Sequence, residues 1–200
     1  MMQKNMNKNI FSAKAIEGVK IFNLPTHSDE RGELYELWVG ENHFATESFV
    51  QDNIVKCKVN VLRGMHYQKN NPYSQIITLI SGKIFDVLLD LRPGSPTFKQ
   101  STAYILDGSK NIQLYMPSGI AHGYVSLTDN VIISYKCNEK YQPADEVGVL
   151  WSSIPEIKWP VNEKTKIKNR DQNFKKLNDL VDNDLPKVID TNKGDILYGC

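Results

Sequence analysis

The sequence predicts an all-β protein, a sandwich or barrel of short strands with small helices confined to its C-terminal end. Three observations predict it. Short apolar runs recur from Val19 to Lys136, and turn residues such as Ser81-Gly82, Arg92–Pro96 and Asp107-Gly108 separate them. Helical spacing appears only late, where Leu177, Leu180 and Val181 sit among charges. Evenly spaced strands parted by turn signals belong to closed or layered β architectures.

Taken in order, residues 1–17 form a polar, lysine- and asparagine-rich arm. Val19–Leu24 reads as a strand ended by Pro25, and Arg31–Trp38 as a second, with Leu34 and Glu36 on one face. Glu41–Thr46 suggests a short helix, and Ser48–Asn53 returns to extended chain. Asn60–Gln68 is the next strand. Gln75–Ile80 and Lys83–Leu91 pair as a hairpin about Ser81-Gly82. Thr102–Leu106, Asn111–Met116, Tyr124–Leu127 and Val131–Lys136 complete the strands. Lys164–Leu185 carries one or two small helices, and 173–200 is a polar tail.

The chain has 200 residues, enough for one domain with a sizeable core, and nothing marks a second-domain boundary. A net charge of +1 supplies no global field toward nucleic acid or a membrane surface, so an anionic ligand requires a local cluster. The three cysteines, Cys57, Cys137 and Cys200, have no metal-type spacing, and their scarcity suits a reducing cytoplasm. No apolar run reaches the roughly 18 residues of a membrane span. The N-terminal residues lack the apolar centre of a signal peptide.

The stretch that concentrates chemistry is N-V-L-R-G-M-H-Y-Q, residues 60–68. Arg63 and His66 are three apart, so a regular strand would send them to opposite faces. Gly64 between them suits a bulge that brings both into one cavity. A cation beside a histidine fits an anionic substrate held next to a proton-transfer group; an incidental surface arginine beside a hydrogen-bonded histidine fits equally well. Met116–His122 reads M-P-S-G-I-A-H, and Pro-x-Gly-x-x-His resembles the second motif of the cupin double-stranded β-helix. The histidine pair and carboxylate that a metal-binding cupin needs earlier in the chain are missing, since His66 is followed by Tyr67, Gln68 and Lys69. A resident metal is therefore not expected. His122 is either satisfied by backbone or turned to a substrate. Tyr135, in an apolar strand, is either packed core or a proton donor. Asp171 reads as a surface acid unless its segment folds back to orient a histidine.

Longer matching pieces decide among these readings. R-G-E-L-Y-E at 31–36, Q-D-N at 51–53, V-L-R-G-M-H-Y-Q at 61–68 and G-K-I-F-D-V-L-L-D-L-R-P-G-S-P-T-F at 82–98 stand in order. P-S-G-I-A-H-G-Y at 117–124, Y-K-C at 135–137, W-P at 159–160 and R-D at 170–171 follow. Chance supplies one such piece, not the ordered series. The chain resembles the nucleotide-sugar 3,5-epimerase family (the dTDP-4-dehydrorhamnose 3,5-epimerase-like cupins). The resemblance implies a cupin-type jelly roll without cofactor or metal, a homodimer with exchanged N-terminal strands, and epimerisation at C3 and/or C5 of a nucleoside-diphosphate 4-keto-6-deoxy sugar for surface polysaccharide. It implies His66 as base, Asp171 as its orienting carboxylate and Tyr135 as acid. Arg31 and Arg63 match diphosphate-binding cations. Gln51, Asn53 and His122 match polar pocket residues, Tyr141 matches the aromatic that stacks on the nucleotide base, and Glu36 and Arg170 accompany these in the pattern.

Two positions depart from that family. Gln75 stands where the family usually has a lysine aimed at the enolate oxygen, and Leu34 where it commonly has a phenylalanine against the thymine. Losing a cation aimed at developing charge costs roughly a few kcal/mol of transition-state stabilisation. Together they point to a different 4-keto sugar nucleotide, such as a GDP-linked hexose or heptose, or to inversion at one centre. The alternatives are a non-catalytic sugar-nucleotide-binding cupin and a 3,4-ketoisomerase.

Overall fold

The computed structural model describes residues 15–39, 47–190 and 195–196, the last pair and 189–190 by backbone only. The strands, in chain order, are β1 (Lys20–Asn23), β2 (Thr26–Asp29), β3 (Gly32–Tyr35), β4 (Gln51–Cys57), β5 (Val61–Gln68), β6 (Gln75–Ser81), β7 (Lys83–Asp90) and β8 (Ser101–Asp107). After them come β9 (Ile112–Met116), β10 (Ile120–Ser126), β11 (Val131–Cys137), β12 (Glu146–Gly148), β13 (Lys166–Ile167), β14 (Ile189–Asp190) and β15 (Asp195–Ile196). A five-stranded sheet runs β1–β9–β6–β11–β4. A six-stranded sheet runs β12–β5–β10–β7–β8, with β13 parallel to the start of β5. Together they form the layered β architecture expected from the strand spacing, in the jelly-roll form that the resemblance implies.

Strand β7 shows how the layers arise. Ile84 and Leu88 point between the sheets, joining Ile77, Leu79, Leu114, Val131 and Ile133. Phe85, Val87 and Leu89 point the other way, where Val149, Ile154, Leu177, Leu180 and Leu185 cover the outer face of the six-stranded sheet. Alternation at period two buries both faces of one strand, which is why K-I-F-D-V-L-L-D-L reads as a nearly continuous apolar run.

Differences from the expected elements have local causes. The stretch 31–38 supplies only β3, which pairs with an unforeseen partner, β2, in a run that reads as polar loop. The Asp29 carboxylate accepts the Arg31 N–H at 2.8 Å and closes this hairpin, with Gly32 at φ +132°. β10 starts at Ile120, so His122 lies within a strand whose glycines disguise it. The expected helices over Lys164–Leu185 shrink to α1 (Asn169–Gln172) and two 3-10 turns at Leu177–Asp179 and Asp182–Asp184. The part of 173–200 that is described is packed: Leu177, Leu180, Leu185 and Val188 are buried. The helix expected at Glu41–Thr46 lies outside the described residues.

The bulge expected in the organising strand is present. Opposite β10, His66 pairs with His122 and Arg63 with Tyr124, so three residues of β5 span what two of β10 span. Two glycines make this possible. A Cβ on Gly64 would lie 2.5 Å from the Gly123 Cα and 2.6 Å from the His122 carbonyl, and Gly64 has φ +112°. Gly64→Ala is expected to destabilise the fold by roughly 3–5 kcal/mol, combining backbone strain with overpacking. Chemical denaturation measures it, and a loss under about 1 kcal/mol would contradict the account.

Candidate active site

The open end of the jelly roll encloses a cavity of about 460 Å³. One wall comes from β5 and β10 of the six-stranded sheet, the other from β4, β6 and β11 of the five-stranded sheet. Of the residues singled out in the sequence, Gln51, Asn53, Arg63, His66, Gln75, His122, Tyr135, Tyr141 and Arg170 line this one cavity. Seven of them come from strands distant in sequence, Tyr141 from the loop after β11 and Arg170 from α1 (Asn169–Gln172), so the topology brings them together.

His66 and Asp171 form its most ordered pair. β5 is flanked by β13 at residues 61–62 and by β12 at 66–68, and α1 docks at the gap between them. There Asp171 Oδ2 accepts the Gly64 N–H at 3.1 Å, and Oδ1 lies 2.9 Å from His66 Nε2. The segment does fold back, and Asp171 is only 2% exposed. An ionised carboxylate accepts, so Nε2 carries the proton it donates to Asp171, and Nδ1 is the nitrogen free to act as a base. Burial pushes the Asp171 carboxyl up, but the His66 contact, the Gly64 N–H and Arg170 outweigh it and hold the carboxyl below its ordinary value. Phe174 meets the His66 ring edge-on at 5.7 Å between centroids and restricts its rotation. Gly148 leaves room for Phe174, since a Cβ there would run into its ring.

Tyr135 lies on the opposite wall, on β11, between Asn53 of β4 and Ile77 of β6. Burial pushes its phenol well above the ordinary tyrosine value, nearby Tyr124, Asp86 and Cys57 add to this, and Arg63 opposes it. The phenol therefore stays protonated near neutrality and has a proton it can donate. The His122 ring lies 6.0 Å from that of Tyr135. His122 is satisfied by a carboxylate rather than by backbone, its Nε2 lying 2.7 Å from Asp86 Oδ1 with both side chains buried.

The remaining expected residues divide clearly. Gln51 Nε2 donates to Asn53 Oδ1 at 3.1 Å, while Gln51 Oε1 accepts the Tyr141 N–H at 2.9 Å, so three mouth residues hold one another. Gln75, at the start of β6, has its amide 3.5 Å from the Cys137 sulfur. Arg170 forms an ion pair with Glu146. Besides Asp171, which lies behind His66, two expected residues do not line this cavity. Arg31 sits on the β2–β3 hairpin, paired with Asp29 and 85% exposed. Glu36 borders a separate groove with Trp38 and Gln113. Arg31 is turned to solvent at the hairpin. The stretch that carries Glu36 is held to the outer side of the five-stranded sheet, where Gln113 Nε2 donates to the Leu37 carbonyl and Trp38 packs against Ile76 and Tyr115.

Sequence reading missed Tyr73, Glu146 and Lys168 in the cavity, and Asp86 and Phe174 behind it. Asp86 alternates with apolar neighbours on β7, and an acid at an inward position was the available signal. Nothing in the sequence pattern marks the others. Among the described residues, no group of three or more histidine, cysteine, aspartate or glutamate side chains converges as metal ligands would. No described helix is long and apolar enough to cross a membrane.

Comparison with known proteins bears on this geometry. A family model described as dTDP-4-dehydrorhamnose 3,5-epimerase matches residues 13–179. A dTDP-4-dehydrorhamnose 3,5-epimerase of Methanothermobacter thermautotrophicus is 33% identical over 174 residues, 84% of this chain and 94% of the relative. The crystal structure of a dTDP-6-deoxy-D-glucose-3,5-epimerase from Legionella pneumophila in complex with dTDP-4-keto-L-rhamnose superposes with a TM-score of 0.82 at 34% identity. It covers 91% of this chain and 99% of that one. A 3'-monoepimerase from Streptomyces bikiniensis in complex with dTDP-quinovose gives a TM-score of 0.76 at 29% identity over 82% of this chain and 86% of that one. With the jelly roll, the ordered motifs and the family model all spanning most of its length, the chain belongs to the dTDP-4-dehydrorhamnose 3,5-epimerase family, isomerases that act on nucleotide sugars.

Proposed function

We propose that the protein epimerises C3 and C5 of a dTDP-linked 4-keto-6-deoxy sugar by proton transfer between His66 and Tyr135. The observation that carries this is the placing of an oriented histidine and a protonated phenol on facing walls of one cavity. A ketone at C4 acidifies the hydrogens on its two neighbouring carbons. His66 Nδ1 removes one, Asp171 stabilises the imidazolium that results, and the electrons move onto the C4 oxygen as an enolate. Tyr135 then delivers a proton to the other face, which inverts the centre. Solvent water takes the proton from the imidazolium and returns one to the phenolate, and repetition at the second carbon gives the double epimer.

Thymidine is favoured over the guanosine donor suggested by Leu34 and Gln75. Leu34 lies on the exposed hairpin, 63% accessible, and so does not shape its own chain's cavity wall. The similar structures hold dTDP sugars. Arg63 and Lys168, both lining the cavity, supply the cations a diphosphate needs. We further read the protein as a homodimer whose β2–β3 hairpin carries Arg31 and Leu34 to the partner's cavity. Exposed Leu34, Val50 and Ile54 support this, as apolar groups that a second copy would cover. A cytoplasmic role feeding surface-polysaccharide synthesis completes the reading.

Gln75 keeps a neutral donor where the enolate oxygen would form. Gln75→Ala is expected to lower kcat about 100-fold with KM little changed, the signature of a contact made in the transition state. An unchanged kcat would remove Gln75 from the enolate site. The substrate itself is tested by following dTDP-, GDP-, UDP- and CDP-linked 4-keto-6-deoxyglucose by NMR. Epimerisation of the dTDP sugar with the highest kcat/KM supports the reading, and preference for another donor refutes it.

A further inference from the structure

Arg170 entered as a substrate-binding residue, yet its contacts lie mainly within the protein. Its Nη1 is engaged by Glu146, and its Nε lies 3.3 Å from Asp171 Oδ1. Its Nη2 lies 3.1 Å from His66 Nε2. That nitrogen already donates to Asp171, so the guanidinium cannot donate to it as well and stands there as a positive charge. The guanidinium also lies 5.7 Å over the Phe174 ring, the same ring that restrains His66. At its far side, Glu146 itself lines the cavity, as Tyr141 does. A continuous polar chain thus runs Glu146–Arg170–Asp171–His66, from cavity wall to base.

We propose that Arg170 is a positioning residue, divided between Glu146 and Asp171, that couples the nucleotide end of the cavity to the proton-accepting strength of His66. The inference rests on the reading of His66 as the base. Arg170 and His66 compete for the same Asp171 oxygen, so a guanidinium held more by Asp171 weakens the hold of that carboxylate on an imidazolium. A guanidinium held more by Glu146 strengthens it. A nucleotide that engages Glu146 alters this division and so reports its presence to the base. Other charged or titratable groups on the surrounding elements are Arg63 on β5, His122 on β10 with Asp86 on β7, Tyr135 on β11 and Lys168 before α1. None of these bridges the mouth to Asp171.

The test is the pH profile of solvent-hydrogen exchange into the dTDP-4-keto sugar for wild type and for Arg170→Gln, Arg170→Lys, Glu146→Gln and His66→Asn. Removing the cation favours the imidazolium, so Arg170→Gln moves the acid limb to higher pH. Removing the Glu146 charge leaves the cation to Asp171, so Glu146→Gln moves the same limb to lower pH. Each shift is about 0.5 pH unit, modest because Arg170 is 39% exposed. Arg170→Lys retains the wild-type limb. Opposed shifts support the proposal. Limbs that stay in place while KM rises overturn it and return Arg170 to simple substrate binding, as would shifts in one common direction. Exchange that persists in His66→Asn overturns instead the assignment of the base.

Discussion

His66→Asn is expected to lower kcat for epimerisation by roughly 10³- to 10⁴-fold, the usual contribution of a well-placed general base. Asn is polar but shorter, its amide reaching only as far as the Nδ1 of the imidazole. The basic nitrogen therefore disappears together with the Nε2 contact to Asp171, while the backbone N–H of Gly64 still holds that carboxylate. Because His66 is proposed to act at both carbons, exchange at C3 and at C5 should fall together. A variant that loses only one exchange would mean that a second base serves the other carbon, and His122, held by Asp86 across β10, is the residue placed to do it. Stopped-time measurement of label at each carbon distinguishes the two cases. Circular dichroism and the melting temperature of the variant show that the loss is chemical rather than structural.

Tyr135→Phe is expected to separate exchange from inversion. The base on β5 and its carboxylate on α1 remain on the six-stranded sheet's side of the cavity, so abstraction and return on the His66 face continue. The donor on the opposite wall is gone, so the inverted product falls by about 10²- to 10⁴-fold while washed-in label at unchanged configuration persists. This expectation follows from the two side chains standing on different sheets. Equal loss of exchange and inversion would instead mean that Tyr135 is needed for enolate formation itself. Burial keeps the phenol protonated across the neutral range, so its role as donor should not weaken until strongly alkaline pH.

Much of this arrangement is legible in the sequence because short apolar runs bounded by turn residues leave a direct trace. Such runs mark β7, β9 and β11, and Gly64 between Arg63 and His66 announces the bulge. Other features leave no local trace. β2 is polar and fully exposed, and its pairing depends on the turn that Asp29 and Arg31 make. The C-terminal segment shows helical spacing at Leu177 and Leu180, but those residues bury themselves through two 3-10 turns that cover the six-stranded sheet. Residues that act at a distance along the chain are harder still. Asp171 reads as a surface acid until α1 is seen filling the gap between β12 and β13. Glu146 and Tyr73 have no motif, since their roles follow from neighbours supplied by other strands. Arg31 and Glu36 were recognised by resemblance, and their place outside the cavity of their own chain follows from a hairpin that no period-two argument predicts.

The central claim is that one base and one acid drive inversion at carbons flanking a ketone, and counting deuterium tests it most directly. Purified protein is incubated with dTDP-4-keto-6-deoxyglucose in heavy water, and the product is read by mass and by NMR for label at C3 and C5. The account predicts two deuteria in inverted product with wild type and none with His66→Asn. Label at C3 alone would reassign the protein to single-centre epimerisation, and no label in either protein would contradict the account.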